Sequence, residues 1–322
     1  MWDKLPLLKA ELELFEQSLR EEFHARKSIE SYLDELSLRV IGSGGKRLRP
    51  AMLIASAMMG VYDRQKALQA AKSIELLHTA TLVHDDIIDN TPLRRSTATV
   101  NATEGVHTAI FTGDYIYVKS VLALAESGLP ITYLREVARA VEAVCVGEVE
   151  QYRSRGSIPG FKTYVSQAVR KTGVLFGAAC AIGAHLGGLE DELVKQAGRF
   201  AGYYGIAFQI KDDLLDILGN PKAIGKPVGN DLKEGVVTLP VLLAVARDPQ
   251  LRRSVETLLR VKNASSAKIL KLLKDVDIAG GVTEAQAVME RYVARAQRSL
   301  DKLPQTPGRD MLEHILRVTY SD

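Results

Sequence analysis

Cysteine is scarce: 322 residues contain only Cys145 and Cys180, and neither belongs to a Cys-x-x-Cys pair. That pattern excludes a disulfide scaffold and a cysteine-built zinc site, and both thiols, set in apolar helix-like runs, are expected to be buried and reduced. Charge imbalance is also small. The net charge of +3 is too low to argue for nucleic acid or an anionic membrane surface as a partner. No apolar run reaches the length of a bilayer span, since Ala51–Gly60 is short and Val174–Leu189 is broken by His185 and glycines. The first residues, Met1-Trp2-Asp3-Lys4-Leu5, lack a basic segment followed by an apolar core, so no secretory signal is read and a cytoplasmic location is expected. There is no βαβ alternation, no solenoid repeat and no low-complexity tract.

What is present is helical periodicity. Leu8, Leu12, Phe15 and Leu19, then Ile29, Leu33, Leu36 and Val40, recur at spacings of three and four, which predicts two amphipathic outer helices. A glycine-rich break, Gly42–Pro50, precedes a short apolar helix over Ala51–Gly60. Long helices are predicted over Ala67–Asn90, Gly113–Ser127, Tyr133–Tyr152, Phe161–Leu186 (kinked at Gly173) and Asp191–Leu218. Thr91–Ser96 reads as a turn and Arg153–Gly160 as a loop. Thr238–Ala246 opens another apolar helix, and Arg252–Tyr320 reads as short amphipathic helices. The chain is read as all-α, one helical bundle domain over residues 1–322.

Two acidic clusters interrupt this apolar helical frame. Asp85, Asp86 and Asp89 repeat the spacing of Asp212, Asp213 and Asp216, so in each cluster the first and last carboxylates share a helix face. Three like charges among apolar residues need a cation. A donor set of aspartates alone favours a hard ion such as magnesium, which keeps waters and bridges carboxylates to phosphates. No Glu-x-x-His pair accompanies either cluster, which argues against a di-iron bundle. Read singly, each cluster could be a solvated helix face; the repetition weakens that reading.

Basic residues sit beside these clusters. Lys46, Arg47 and Arg49 flank a glycine turn at a helix start, where free N–H groups and the helix dipole favour an anion. Arg94 and Arg95 closely follow the first acidic cluster, and a guanidinium matches phosphate oxygens bidentately. Lys171 stands near the kink and Lys226 in the glycine- and proline-rich loop Gly219–Asp231, which has the length of a lid. Any one of these could be a surface charge. Together they indicate two phosphate-bearing groups, one held through metal by aspartates and one held directly by bases.

The ordered set Gly44–Pro50, Leu77-His78-Thr79-Ala80, Asp85–Asp89, Arg94-Arg95, Gly113-Asp114, Lys171-Thr172, Phe208–Asp216 and Gly225-Lys226-Pro227 resembles the trans-polyprenyl diphosphate synthase family. Tyr115-Ile116-Tyr117, Gly147–Gln151 and Gly235–Pro240 resemble in particular the catalytic component of two-part heptaprenyl diphosphate synthases. The resemblance implies an all-helical isoprenoid synthase bundle around a central cavity, usually a homodimer. It implies about three Mg²⁺ ions held by Asp85, Asp89 and Asp212, supported by Asp86, Asp213 and Asp216, and bridging to an allylic diphosphate such as farnesyl or geranylgeranyl diphosphate. Arg94, Lys171 and Lys226 would hold that diphosphate. Lys46, Arg49, His78 and Arg95 would hold isopentenyl diphosphate, with Thr172 and Gln209 beside the developing allylic cation. Two positions depart from the family pattern: Ser96 replaces a glycine and Val236 replaces a lysine, and neither is a metal position.

Product length is read from the helix carrying Asp85. Five residues earlier, about 7.5 Å along a helix, stand Ala80 and then Thr81, where short-chain members place an aromatic ring. The small residue predicts an open tunnel and a product of about C30–C50, each added unit burying five carbons at roughly 0.8 kcal/mol each. Deeper residues such as Leu76, Ile74 or Ile110 would set the stop. The alternatives are a geranylgeranyl diphosphate synthase, a class I terpene cyclase, a non-catalytic subunit, and a catalytic chain that needs a small partner. A cyclase would lack the second diphosphate site, and a non-catalytic subunit would have lost aspartates or the arginine pair.

Overall fold

The structure, a computed structural model, describes residues 2–23, 29–219, 228–261 and 264–320. Apart from one tiny hairpin the elements are helices, and contacts divide them into two units: 1–137, 178–198 and 300–322 in the first, 138–177 and 199–299 in the second.

In the first unit, α1 (Pro6–Glu21) opens on a proline at its first turn and buries Leu8, Leu12, Phe15 and Leu19, as their spacing requires. It packs on α3 (Leu48–Ala57) and α4 (Arg64–Ile88). Helix α3 is buried along nearly its whole length. Such a helix must be approached closely: a Cβ on Gly183 would lie 2.1 Å from the carbonyl of Leu53, so only glycine permits this crossing. Helix α2 (Ile29–Gly42) packs on α5 (Val100–Glu126), which in turn lies along α4. Asp63 caps α4 by accepting from the Lys66 N–H, and Thr99 caps α5 by accepting from Ala102. Helix α15 (Pro307–Tyr320) closes the unit against α3.

The expected turn at 91–96 is a hairpin of two short strands, β1 (Leu93–Arg94) and β2 (Thr97–Ala98), with Arg94 opposite Thr97. The next helix begins at Val100, well before Gly113, with non-helical backbone at Gly105 (φ 81°).

Helix α6 (Ile131–Ser154) contributes to both units. In the second unit α7 (Phe161–Ala168) runs into a π turn, Val169–Gly173, and then α8 (Val174–Leu186), whose residues from Ala178 on belong to the first unit. The expected kink at Gly173 is thus a change of helix type. Helix α9 (Asp191–Leu218), part of the second unit from Arg199 on, carries Tyr204 and Phe208, which with Phe176 form an aromatic cluster with centroids 5.1–6.2 Å apart. The rest is α10 (Asn230–Lys233), α11 (Leu239–Arg247), α12 (Pro249–Leu259), α13 (Ser266–Ile278) and α14 (Gly281–Leu300). At 20 residues α14 is longer than the short tail helices expected.

The cysteine expectation needs one correction. Cys180 is buried and burial pushes its thiol up to about 12, but Cys145 is exposed. Its apolar neighbours misled the reading, because Val146 and Val149 are themselves on the surface of α6. Among the described residues no helix is long and apolar enough to cross a membrane. Most of the expected lid, including Lys226, lies outside the described residues.

Candidate active site

In the first unit the acidic cluster occupies the last turn of α4. Asp89 is the helix C-cap, its N–H bonded to the carbonyl of Asp85. Carboxylates are disfavoured at a helix C-terminus, where the dipole is negative, so the placement adds to the demand for a cation. Asp85 is half-buried and Asp89 exposed. Asp86 is buried, and its two oxygens accept from Arg94 Nε at 2.9 and 3.0 Å, with Nη2 at 2.8 Å. The hairpin supplies that guanidinium, so Arg94 is tied to the acidic cluster.

The basic group lies on the same α4. His78 precedes Asp85 by seven residues, two turns along one face. Burial, then the charges of Arg49, Arg95, Arg94 and Arg47, hold its imidazole well below the ordinary histidine range, so it is neutral. Arg95 is likewise lowered, by burial and then by Arg47 and Arg94. Such crowding of cations is what an incoming anion relieves.

The glycine turn gives this group its shape. Gly44 (φ 91°), Gly45 (φ 153°) and Arg47 (φ 48°) take left-handed conformations, and the turn feeds α3. A Cβ on Gly45 would stand 2.7 Å from Arg95 Nη1, so the missing side chain makes room for the guanidinium. Lys46 is exposed and Arg49 half-buried. Arg47 turns inward: it is paired with Glu16, donates to Glu75 at 2.8 Å and to the carbonyl of Ile41 at 2.8 Å. It joins α1, the end of α2 and α4 beneath the turn.

In the second unit Asp212, Asp213 and Asp216 fall in the last two turns of α9, again at the negative end of a helix. Asp212 is exposed. Asp216 accepts from the Asn230 N–H at 3.1 Å, fixing the start of α10. Asp213 is buried; its oxygens accept from Tyr164 Oη at 2.6 Å, Gln209 Nε2 at 3.1 Å and the Leu239 N–H at 3.2 Å. Burial outweighs these bonds and pushes its carboxyl up to about 6. Thr172, on the π turn, donates to Gln209 Oε1 at 2.8 Å. Such turns recur at functional positions. This one is packed tightly on α9: a Cβ on Gly205 would stand 2.8 Å from the Gly173 Cα. Lys171, beside Thr172, contacts Glu148 at 3.0 Å and Gln151 at 3.2 Å on α6.

The structure thus gathers Arg49, His78, Arg94, Arg95 and Asp86 in one unit, and Thr172, Gln209 and Asp213 in the other. Ala80 is buried on α4 and Thr81 half-buried, its hydroxyl turned back to the carbonyl of His78. Sequence reasoning missed Tyr164 and the inward role of Arg47. Glu148 and Gln151, which meet Lys171, lie in the segment Gly147–Gln151 that carried the finer family resemblance with no role assigned to it.

Among the described residues no three His, Cys, Asp or Glu side chains are gathered closely enough to hold a metal by themselves. Asp86 and Asp213 spend their oxygens on protein donors. Carboxylates alone at two helix C-termini suit a hard divalent ion whose remaining ligands are waters and phosphate oxygens.

The family model for polyprenyl synthetase matches residues 30–276. The chain belongs to the polyprenyl synthetase family. It is 35% identical over 285 residues to heptaprenyl diphosphate synthase component 2 of Geobacillus stearothermophilus, covering 88% of each chain. It is 36% identical over 279 residues to the geranylgeranyl pyrophosphate synthase of Geoglobus acetivorans, covering 85% of each. Among solved structures, the polyprenyl synthase of Caulobacter crescentus, complexed with calcium and isoprenyl diphosphate, superposes with TM-score 0.91 at 27% identity, over 99% of this chain and 96% of that one. The fold is therefore the all-α isoprenoid synthase fold. The chain is a prenyltransferase, a trans-polyprenyl diphosphate synthase acting on prenyl diphosphates, in a family that uses divalent metal to bind the diphosphate.

Proposed function

We propose that the chain extends an allylic diphosphate, farnesyl or geranylgeranyl, with isopentenyl diphosphate to a medium- or long-chain, heptaprenyl-like product. The observation that carries the two-diphosphate reading is the order of groups on α4: a neutral His78 ringed by arginines, then two turns later the aspartates at the helix end. One diphosphate is held directly by Lys46, Arg49, His78 and Arg95. The other is held by Arg94, Lys171 and Lys226 and by carboxylate-bound metal.

Asp85, Asp89 and Asp212 would hold about three Mg²⁺ ions, with Asp86, Asp213 and Asp216 supporting; bound there, the metal neutralises charge on the leaving diphosphate. Arg94 and Lys171 add donors to the same leaving group as the allylic C–O bond breaks. The basic turn positions isopentenyl diphosphate so that its double bond attacks the allylic carbon. Loss of a proton from the adjacent carbon to the released diphosphate completes the new double bond. Thr172 and Gln209 offer neutral oxygens to the developing cation.

Ala80, small and buried before Asp85, supports an open path for a growing tail. We propose a single catalytic domain, located in the cytoplasm and working as a homodimer. An exposed apolar stripe on α5, Ile110, Phe111, Val118, Val121 and Leu122, would be covered by a second copy. A catalytic chain that needs a small partner subunit is an alternative to this reading, suggested by the likeness to a protein named as one component of a synthase. The second reading, a geranylgeranyl diphosphate product, is favoured by the likeness to the Geoglobus protein.

Asp85→Asn and Asp212→Asn test the site. Each is expected to cut kcat by at least about a hundredfold, as for loss of an electrostatic stabiliser, with the circular dichroism spectrum unchanged. Turnover near that of the parent in either variant removes the metal assignment.

A further inference from the structure

Tyr164 lies in no sequence motif, yet it starts a chain of hydrogen bonds that ends on Thr172. Its hydroxyl donates to Asp213 Oδ2, which also accepts from the Leu239 N–H; Gln209 Nε2 donates to Asp213 Oδ1, and Thr172 Oγ1 donates to Gln209 Oε1. Tyr164, Thr172 and Asp213 are buried, and every member belongs to the second unit.

The chain has a direction. A carboxamide shows an acceptor on one side and donors on the other, and its neighbours decide which way it faces. Asp213 collects three donors from three elements, α7, α9 and the start of α11, so it serves as an acceptor. Gln209, one helical turn before it on α9, must turn its Nε2 toward that carboxylate. Its Oε1 then faces Thr172, whose only hydroxyl proton is committed to it. Both oxygens keep lone pairs, and the amide protons of Gln209 lie on its nitrogen side, toward Asp213. A neutral oxygen stabilises an adjacent electron-poor carbon; a reversed amide would aim its N–H dipoles at it instead.

We propose that Tyr164 is a positioning residue for the prenyl transfer: by holding Asp213 it fixes the Gln209 amide and the Thr172 hydroxyl with their oxygens available to the allylic carbon. This inference rests on the placement of Thr172 and Gln209 beside that carbon. Asp213 on this view acts through the amide, and its oxygens are occupied accordingly.

The test is Tyr164→Phe, which keeps the ring and deletes the donor. Expected are a fall in kcat of about tenfold, as for slight misplacement of reacting groups, unchanged KM for isopentenyl diphosphate, unchanged half-saturating Mg²⁺, and a melting temperature lowered by the lost buried hydrogen bond yet well above the assay temperature. Combining it with Gln209→Leu should slow the enzyme no further than Gln209→Leu alone. Parental kcat, a multiplicative loss in the double variant, or a defect confined to KM would overturn the inference. Thr172→Val and Gln209→Leu run in parallel separate the two levels. If these keep parental kcat, the placement of Thr172 and Gln209 fails; if they are impaired and Tyr164→Phe is not, only the role of Tyr164 fails. Should Tyr164→Phe not fold, Asp213→Asn serves: a defect that persists at saturating Mg²⁺ supports positioning, and one that saturating Mg²⁺ abolishes overturns it.

Discussion

Replacing Arg47 by methionine should destabilise the first unit far more than a surface charge change does. The Arg47 side chain is 9% exposed and Glu75 only 7%, so their 2.8 Å pair is buried, while Glu16 is about one-third exposed and adds less. Methionine fills much of the volume but leaves the Glu75 carboxylate without this cation and the Ile41 carbonyl without this donor. Removing one partner of a buried pair costs about 3–5 kcal/mol. The loss is to be read as a lower urea midpoint at unchanged slope, followed by circular dichroism on the substrate-free protein. Adding Glu75→Gln should recover at least about 1 kcal/mol, because the stranded charge is removed with its partner. KM for isopentenyl diphosphate should rise as well, since Lys46 and Arg49 flank the residue that anchors the turn. A loss below about 1 kcal/mol, or no recovery in the double variant, would refute the view that this buried node holds the turn.

Two further outcomes are expected. Ala80→Phe should shorten the main product while turnover persists; product sizing by mass spectrometry decides, and an unchanged length removes Ala80 from the tunnel floor. In chelator, the contribution of Asp213 to stability should fall as pH rises from about 4 to about 6. The Asp213 carboxyl titrates near 6 in the native protein against 3.8 ordinarily, so the native state binds the extra proton and its advantage, complete below the lower value, is gone above the upper. The span is on the order of 3 kcal/mol, and Asp213→Asn should flatten it; superimposable pH profiles for parent and variant would contradict the assignment.

Helices and motif residues were legible because each carries a local signal. Leu8 to Leu19 show the helical repeat, and Asp85–Asp89 and Asp212–Asp216 repeat one another. The hairpin at Leu93–Ala98 was not legible, since two-residue strands leave no alternation to read. The π turn escaped because it adds one residue to a helix without changing its composition. Cys145 was misplaced because the outer face of α6 is itself apolar. Arg47 looked like its neighbours Lys46 and Arg49, and only its left-handed backbone turns it inward. Tyr164 resembles any core aromatic until the carboxylate it meets, 49 residues away in sequence, is known.

The central claim is chain elongation to a long product. It is tested most directly by incubating the purified chain alone with farnesyl diphosphate, isopentenyl diphosphate and Mg²⁺, and sizing the products by mass spectrometry. The account predicts a Mg²⁺-dependent ladder of products spaced by one five-carbon unit and extending well past geranylgeranyl diphosphate. A ladder that stops at geranylgeranyl diphosphate would contradict the open tunnel at Ala80, and the absence of any elongation would contradict a catalytic chain that works alone.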